Sequence, residues 1–206
     1  MNVSPKLYTR LPIYLHYLKQ LPSTVENISA TSIAAALDYG DVQVRKDLSA
    51  VSGEGKPKTG YEVAGLIRAL ESFLGYDQIN TAVIVGAGKL GMALYEYTGF
   101  AAYGLHIAAA FDNSPEKVGT QPSGKTVYPL SDFEDFCSDG AVKIGIITTP
   151  AASAQQVCDL MCANGIAAIW CFAPTHICAR EGVMVQYENM ASSLALLSSH
   201  LAHENE

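Results

Sequence analysis

Apolar residues recur at helical spacing through the first third of the chain and in short continuous runs through most of the remainder, so two architectures are expected in succession. Leu7, Leu11, Leu15 and Leu18 share one face of a helix that Ser4-Pro5 opens as an N-cap/N1 pair. Pro12 lies inside that pattern and predicts a kink, or a break into two pieces. Ser29 caps a helix over 31–37, with Ile33, Ala34 and Leu37 on one face. Tyr39-Gly40 interrupts the chain, and Asp41 caps a second short helix over 42–51. A further helix over 62–74 carries Val63, Leu66, Ile67, Leu70 and Phe73 on one side, and residues 75–78 link it onward.

From residue 82 the period changes. Ala82-Val83-Ile84-Val85, Ile107 to Phe111, Lys143 to Ile147 and Ala167 to Trp170 read as strands. A helix over 152–164, closed by Gly165, separates the last two. Alternating strands and helices predict a parallel, doubly wound sheet. A last helix over 192–202 is rich in Leu and Ala, and that much apolar surface calls for a partner.

Gly86-Ala87-Gly88-Lys89-Leu90-Gly91 follows the first strand directly, and Asp112 ends the second, 21 residues after Gly91. That is the dinucleotide-binding fingerprint in its strand–turn–helix setting. The first glycine permits the turn, the second admits a pyrophosphate against the backbone, and the third lets helix pack closely on strand. The helix N-terminus adds unpaired amides and the positive end of its dipole. Asp112 is placed to accept from an adenosine ribose and would repel a 2′-phosphate, so NAD(H) is expected rather than NADP(H). Thr149-Pro150, at the end of a later strand, is expected to face the cofactor. A Rossmann domain is therefore predicted over 79–188, behind a smaller domain over 1–78.

The smaller domain has the spacing of a helix-turn-helix. Its second helix presents Gln43, Arg45, Lys46 and Ser49, polar groups suited to base edges and phosphates, and Ser29 joins them from the start of the first. Residues 52–60 are rich in glycine and lysine and suggest a hairpin wing, with Lys56 and Lys58 aimed at phosphate or the minor groove. The alternative is a solvated three-helix domain with no DNA role.

Charge narrows the picture only slightly. The net charge is −7. Residues 1–78 hold eight Lys/Arg and eight Asp/Glu, whereas 79–206 hold five and twelve, so the deficit lies in the nucleotide domain. Any DNA contact must then come from local clustering. Cys137, Cys158, Cys162, Cys171 and Cys178 form no CxxC and read as buried thiols. Cys158, Cys162 and the His176-x-Cys178 pair lack a second closely spaced ligand pair, so no metal is expected. With no run of about eighteen apolar residues and no signal-peptide pattern at Met1 to Lys6, the expected location is cytoplasmic.

The residues also resemble a known family. Arg10 to Leu15, the run Val42-Gln43-Val44-Arg45-Lys46-Asp47-Leu48-Ser49, and Gly60-Tyr61 are similar to the winged-helix half of the redox-sensing transcriptional repressor Rex family. The similarity continues through Gly86 to Gly91, Tyr97 to Phe100, Phe111-Asp112, Pro115 to Gly119 and Phe172-Ala173-Pro174, in collinear order over nearly the whole chain. It implies a homodimer that binds a palindromic operator, senses the NADH/NAD⁺ ratio, and closes on NADH to release DNA. It implies, too, that the C-terminal segment 189–206 is a swapped dimerisation helix and that Tyr97 takes part in nicotinamide sensing.

Three departures stand out. Where the family carries Ser-Tyr-Phe-Gly, this chain has Ser49-Ala50-Val51-Ser52, and its wing reads Gly55-Lys56-Pro57-Lys58 in place of Gly-Lys-Arg-Gly. The acid that faces the sensing tyrosine is replaced by Asn189 or Ala191, depending on the gap. A repressor with weakened discrimination between NADH and NAD⁺ is thus expected, with no catalytic residues. A diverged paralogue acting through protein contacts, or a Rossmann oxidoreductase with an accessory domain, are the alternatives. His176, Cys171 and Tyr97 lack the partnered acid, base or metal that the last would need.

Overall fold

Ser4 and Pro5 do start the first helix, α1 (Pro5–Lys19), in a computed structural model that describes residues 4–121 and 124–203. The expected break at Pro12 does not occur. Leu7, Leu11, Tyr14, Leu15 and Leu18 are buried on both sides of the proline, and that burial outweighs one lost backbone hydrogen bond. The chain divides into two compact units, Met1–Gln78 and Ile79–Glu206.

In the first unit, Ser29 caps α2 (Ala30–Leu37), its Oγ accepting from the Ser32 amide at 3.0 Å. Asp38 ends α2 in the left-handed region at φ 55°. The cap of α3 (Asp41–Ser52) is Gly40, not the expected Asp41. The Asp41 carboxylate instead ties the two helices together, accepting from Thr31 Oγ1 at 2.8 Å. The α4 helix (Val63–Leu74) begins one residue late, because Glu62 belongs to a two-residue strand, β2 (Tyr61–Glu62), paired antiparallel with β1 (Asn27–Ile28). Between α3 and β2 a tight hairpin is closed by reciprocal Lys56–Gly60 backbone bonds of 2.8 Å, with Lys58 at its tip at φ 69°. Leu11, Tyr14, Ile33, Val44, Leu48, Leu66 and Leu70 form the core of this helix-plus-wing unit.

The second unit is built on six parallel strands in the order β5-β4-β3-β6-β7-β8. These are β3 (Asn80–Val85), β4 (Leu105–Asp112), β5 (Val127–Pro129), β6 (Val142–Ile147), β7 (Ala168–Cys171) and β8 (Met184–Tyr187). Successive side chains of β3 point to opposite faces. Val83 and Val85 pack with Phe111, Phe133 and Val157 on one side, and Ala82 and Ile84 with Tyr95 and Ile107 on the other. Helices α5 (Lys89–Glu96), α6 (Phe133–Cys137) and α7 (Ala151–Ala163) supply the crossovers. The outer strands β5 and β8 carry no strong local signal: one is three residues ending in proline, the other half exposed. Strand order reverses between β3 and β6, which opens a crevice at their C-terminal ends. The last helix, α8 (Met190–His203), leaves Leu194, Leu196 and Leu197 more than half exposed.

Candidate functional site

The Gly86–Gly91 loop sits in that crevice. Gly86 has φ +109°, and a Cβ there would lie 2.8 Å from the Thr148 carbonyl carbon, so the turn admits glycine alone. A Cβ on Gly91 would strike the Gly86 carbonyl, which fixes α5 against the loop. Thr148 Oγ1 braces the turn by donating to Gly86 O at 2.7 Å. Gly88 differs from both: nothing lies within 4 Å of its Cβ position. It borders open space, as a backbone that must receive a bulky group requires. The first amides of α5, from Lys89, Leu90 and Gly91, have no carbonyl to pair with inside the helix.

A cavity of about 540 Å³ extends from this loop, walled by Gly86, Gly88, Asp112, Lys117, Thr149 and Pro150, with α7 as its far side. Asp112 ends β4, and its carboxylate is held from three directions. The Ala87 amide donates to it at 2.7 Å, the Ser114 amide at 2.8 Å and Lys117 Nζ at 2.9 Å. Burial alone would raise its pKa, but Lys117 and the two amides hold the carboxyl below its usual range. Thr149 Oγ1 is buried and has no hydrogen-bond partner. An orphaned hydroxyl in a cavity wall invites a polar ligand.

The cavity brings together Gly86, Gly88, Asp112, Thr149 and Pro150; Ala87, Lys89, Leu90 and Gly91 belong to the adjoining loop and the start of α5 without lining it, and Tyr97 and Asn189 lie elsewhere. Tyr97 follows α5, is 56% exposed, and packs edge-on against Phe100 at 4.9 Å. Asn189 stands before α8, where its Oδ1 accepts from the Ser192 amide at 3.2 Å. It borders a separate open depression with Phe172, Pro174 and Glu188, and Glu188 accepts from the Trp170 indole at 3.0 Å. Lys117 was not singled out as a site residue by the sequence, although a lysine five positions after the acid that ends a strand is a readable signal.

In the first unit, α3 exposes Val42, Gln43, Arg45 and Lys46, while Ser49 is half-buried and Lys56 and Lys58 project from the hairpin. Arg45 pairs with Asp41 one turn back at 2.8 Å, and the Gln43 amide donates to Asp47 at 2.7 Å. Ser29 is occupied as a cap, its hydroxyl also bonded to Ser32 Oγ at 2.8 Å. Behind the exposed face lies buried Asp47, which takes Arg10 Nε at 2.6 Å, Arg10 Nη2 at 2.8 Å and Tyr14 OH at 3.0 Å. Burial works to raise the Asp47 pKa, and these donors with Gln43 bring it below the ordinary value. The positions of α1 and α3 are thereby locked through a charge that local sequence does not reveal.

Cys137, Cys158 and Cys171 are buried, Cys162 is half-buried and Cys178 exposed, all as free thiols. Burial, with Cys162 beside it, pushes the Cys158 thiol up to about 12, far from the reactive range. Among the described residues no cluster could hold a metal ion, and no helix is long and apolar enough to cross a membrane.

Comparison with known proteins assigns both units. Residues 77–175 match a family described as "CoA binding domain", and residues 2–49 match "Putative DNA-binding protein N-terminus". The redox-sensing transcriptional repressor Rex of Porphyromonas gingivalis is 41% identical over 193 residues, 93% of this chain and 88% of that protein. Its namesake in Brevibacillus brevis is 39% identical over 97% of both. Among solved structures, RSP in complex with β-NAD⁺ and operator DNA is 32% identical, with a TM-score of 0.93 over 100% of this chain and 95% of the other. RSP, a Rex-family repressor, has also been solved with β-NADH, at a TM-score of 0.86 and 30% identity over 100% of this chain and 97% of that one. With curated relatives near 40% identity along almost its entire length, the chain belongs to the Rex family of redox-sensing transcriptional repressors.

Proposed function

We propose that this chain is a DNA-binding transcriptional repressor that responds to NAD(H) and so reads the cellular NADH/NAD⁺ ratio. One observation carries the reading. The cavity at the strand-order reversal combines an open glycine backbone at Gly88, an acid at the end of β4 and an unpartnered buried hydroxyl at Thr149. In this arrangement Gly86 makes the tight turn, Gly88 leaves room for the pyrophosphate, and the amides of Lys89, Leu90 and Gly91 face its charge. Asp112 receives the adenosine ribose, while Thr149 and Pro150 border the dinucleotide further along. NAD(H) acts as an effector, its nicotinamide cationic when oxidised and neutral when reduced, and the chain is a regulator rather than an enzyme.

The DNA-contacting set is Arg45 and Lys46 on α3, with Gln43 and Ser49 beside them and Lys56 and Lys58 of the wing on phosphates. Ser29 supports this set by capping α2. The molecule works as a homodimer on a palindromic operator, with the exposed leucines of α8 buried against a second copy. Domains 1–78, 79–188 and 189–206 then bind DNA, bind nucleotide and dimerise, in the cytoplasm where DNA and NAD(H) meet. Titration of NADH, and separately NAD⁺, into the complex with a Rex-type palindrome tests this directly. NADH should release the DNA at lower concentration than NAD⁺; release by neither, or no binding to the palindrome, overturns the reading.

A further inference from the structure

The carboxylate expected to take the ribose is already largely occupied. Asp112 Oδ2 accepts both the Ala87 amide and Lys117 Nζ, and Oδ1 accepts the Ser114 amide. A carboxylate offers about four acceptor directions, so one remains, on Oδ1. A ribose presents two adjacent hydroxyls, and one free direction serves one of them. Lys117 lies against the same carboxylate in the wall of the same cavity, and its ammonium has further donors to give.

On the reading that this cavity holds NAD(H), we infer that Lys117 is the second half of the ribose site and decides between a 2′-hydroxyl and a 2′-phosphate. Its ammonium serves the hydroxyl that Asp112 has no direction left to accept. The Asp112–Lys117 pair is neutral as a whole, so a 2′-phosphate is not refused by net charge. It is refused because Asp112 keeps the ammonium engaged and places its own charge in front. Removing the charge of Asp112 leaves an ammonium, 43% exposed, with no anion beside it. A 2′-phosphate is the anion that fits such a vacancy.

Calorimetric titration of the full chain with NADH, NADPH, ADP and 2′,5′-ADP tests this, on Asp112→Asn, Lys117→Met and the double variant. Asparagine keeps an oxygen for the Ala87 amide, so the loop retains its brace. Asp112→Asn should weaken NADH and strengthen NADPH and 2′,5′-ADP by about tenfold or more, the range of one charge-assisted hydrogen bond. The double variant should lose that gain entirely. Lys117→Met alone should bind NADH more weakly and refuse NADPH more strongly than the wild type. A gain that persists in the double variant, or a Lys117→Met protein with an unchanged NADH/NADPH ratio, overturns the assignment. Wild-type protein that binds none of these nucleotides overturns the nucleotide site itself, a separate and recognisable failure.

Discussion

Asp47→Asn is the substitution that most directly probes how α3 is held against α1. The side chain keeps its size and loses its charge. Four donors converge on the native carboxylate: Arg10 twice, Tyr14 and Gln43, at 2.6 to 3.0 Å. An amide retains one acceptor oxygen, so the donors that faced the other now meet an NH₂ group. The Arg10 guanidinium, 17% exposed, is left as a nearly buried cation without an anion. Breaking a buried ion pair from one side costs about 3–5 kcal/mol, and the solvent-facing edge of Arg10 argues for the lower end. For a unit of this size about 3 kcal/mol corresponds to a fall in Tm of roughly 12 °C or more. Differential scanning calorimetry of the full chain, with hydrogen exchange read on the amides of α1 and α3, measures it. The double variant Arg10→Met/Asp47→Leu should lose less than Asp47→Asn alone, since no unpaired charge remains.

The same network sets a pH dependence. The folded-state pKa of Asp47 is depressed, so the unfolded chain binds the proton more tightly. Its stabilisation is therefore fully present above the ordinary carboxylate range and is lost as pH falls through the lowered folded-state value. In Asp47→Asn this acid-side loss should vanish. An Asp47→Asn protein whose first unit melts within about 2 °C of wild type would refute the reasoning.

Other expectations concern binding and assembly. Arg45→Glu should abolish a specific operator shift, and Lys58→Ala should weaken all sequences alike while reducing the salt slope by about one, read by mobility shift across salt concentrations; unchanged operator affinity in Arg45→Glu would exclude α3. Leu197→Asp should shift the protein from dimer to monomer in analytical ultracentrifugation, and a wild-type monomer would exclude the swapped helix. With Asn189 or Ala191 where the family resemblance implies an acid, the ratio of NADH to NAD⁺ affinity should be smaller than in an acid-bearing relative, because a Coulomb contribution of a few kcal/mol at an effective dielectric of about 20 is missing. Asn189→Asp should change that ratio, and Glu188→Gln, which removes the acid anchored on Trp170, reports whether a neighbour already supplies the charge.

How much of this could be read along the chain depends on the distance over which each feature is decided. The inner strands β3, β4 and β6 are buried on both faces and announce themselves as apolar runs, and the glycine turn must be glycine for the steric reason seen at Gly86. The edges of the sheet do not: β5 and β8 are too short to show a period, and it is pairing with β4 and β7 that brings Val127 and Val185 against the core. At Pro12, packing on both sides overrides a local helix breaker. At Asp41 a polar residue suited to capping is drawn instead into a bond with Thr31, ten residues back. Arg10 and Asp47 lie 37 positions apart and no spacing rule connects them. In the candidate site, β3 and β4 bring Gly88 and Asp112 to one cavity as adjacent parallel strands must, whereas Tyr97 follows the end of α5 and Asn189 precedes the start of α8, both away from it.

Both candidate surfaces share a property that bears on how they discriminate. On each surface a charged group already has an internal partner: Arg45 is paired to Asp41 and Lys117 to Asp112, while the neutral Gln43 amide is bonded to Asp47. At these groups a ligand exchanges partners, and what it gains there is the difference between the old bond and the new. The size of that difference varies with burial. Arg45–Asp41 is an exposed pair one helical turn apart, of the kind worth about 0.3–0.5 kcal/mol, so a phosphate or base edge displaces it at almost no penalty. Asp112, with only 11% of its side chain exposed and two backbone amides as further partners, is far harder to disengage. On the proposed assignment, a DNA contact made by Arg45 would displace little and be readily released. On the same assignment, the acid of the nucleotide cavity is held rigidly, and its selectivity would follow from what it already holds. The proposed assignment thus predicts regulation through the weakly held surface and recognition of the effector at the strongly held one.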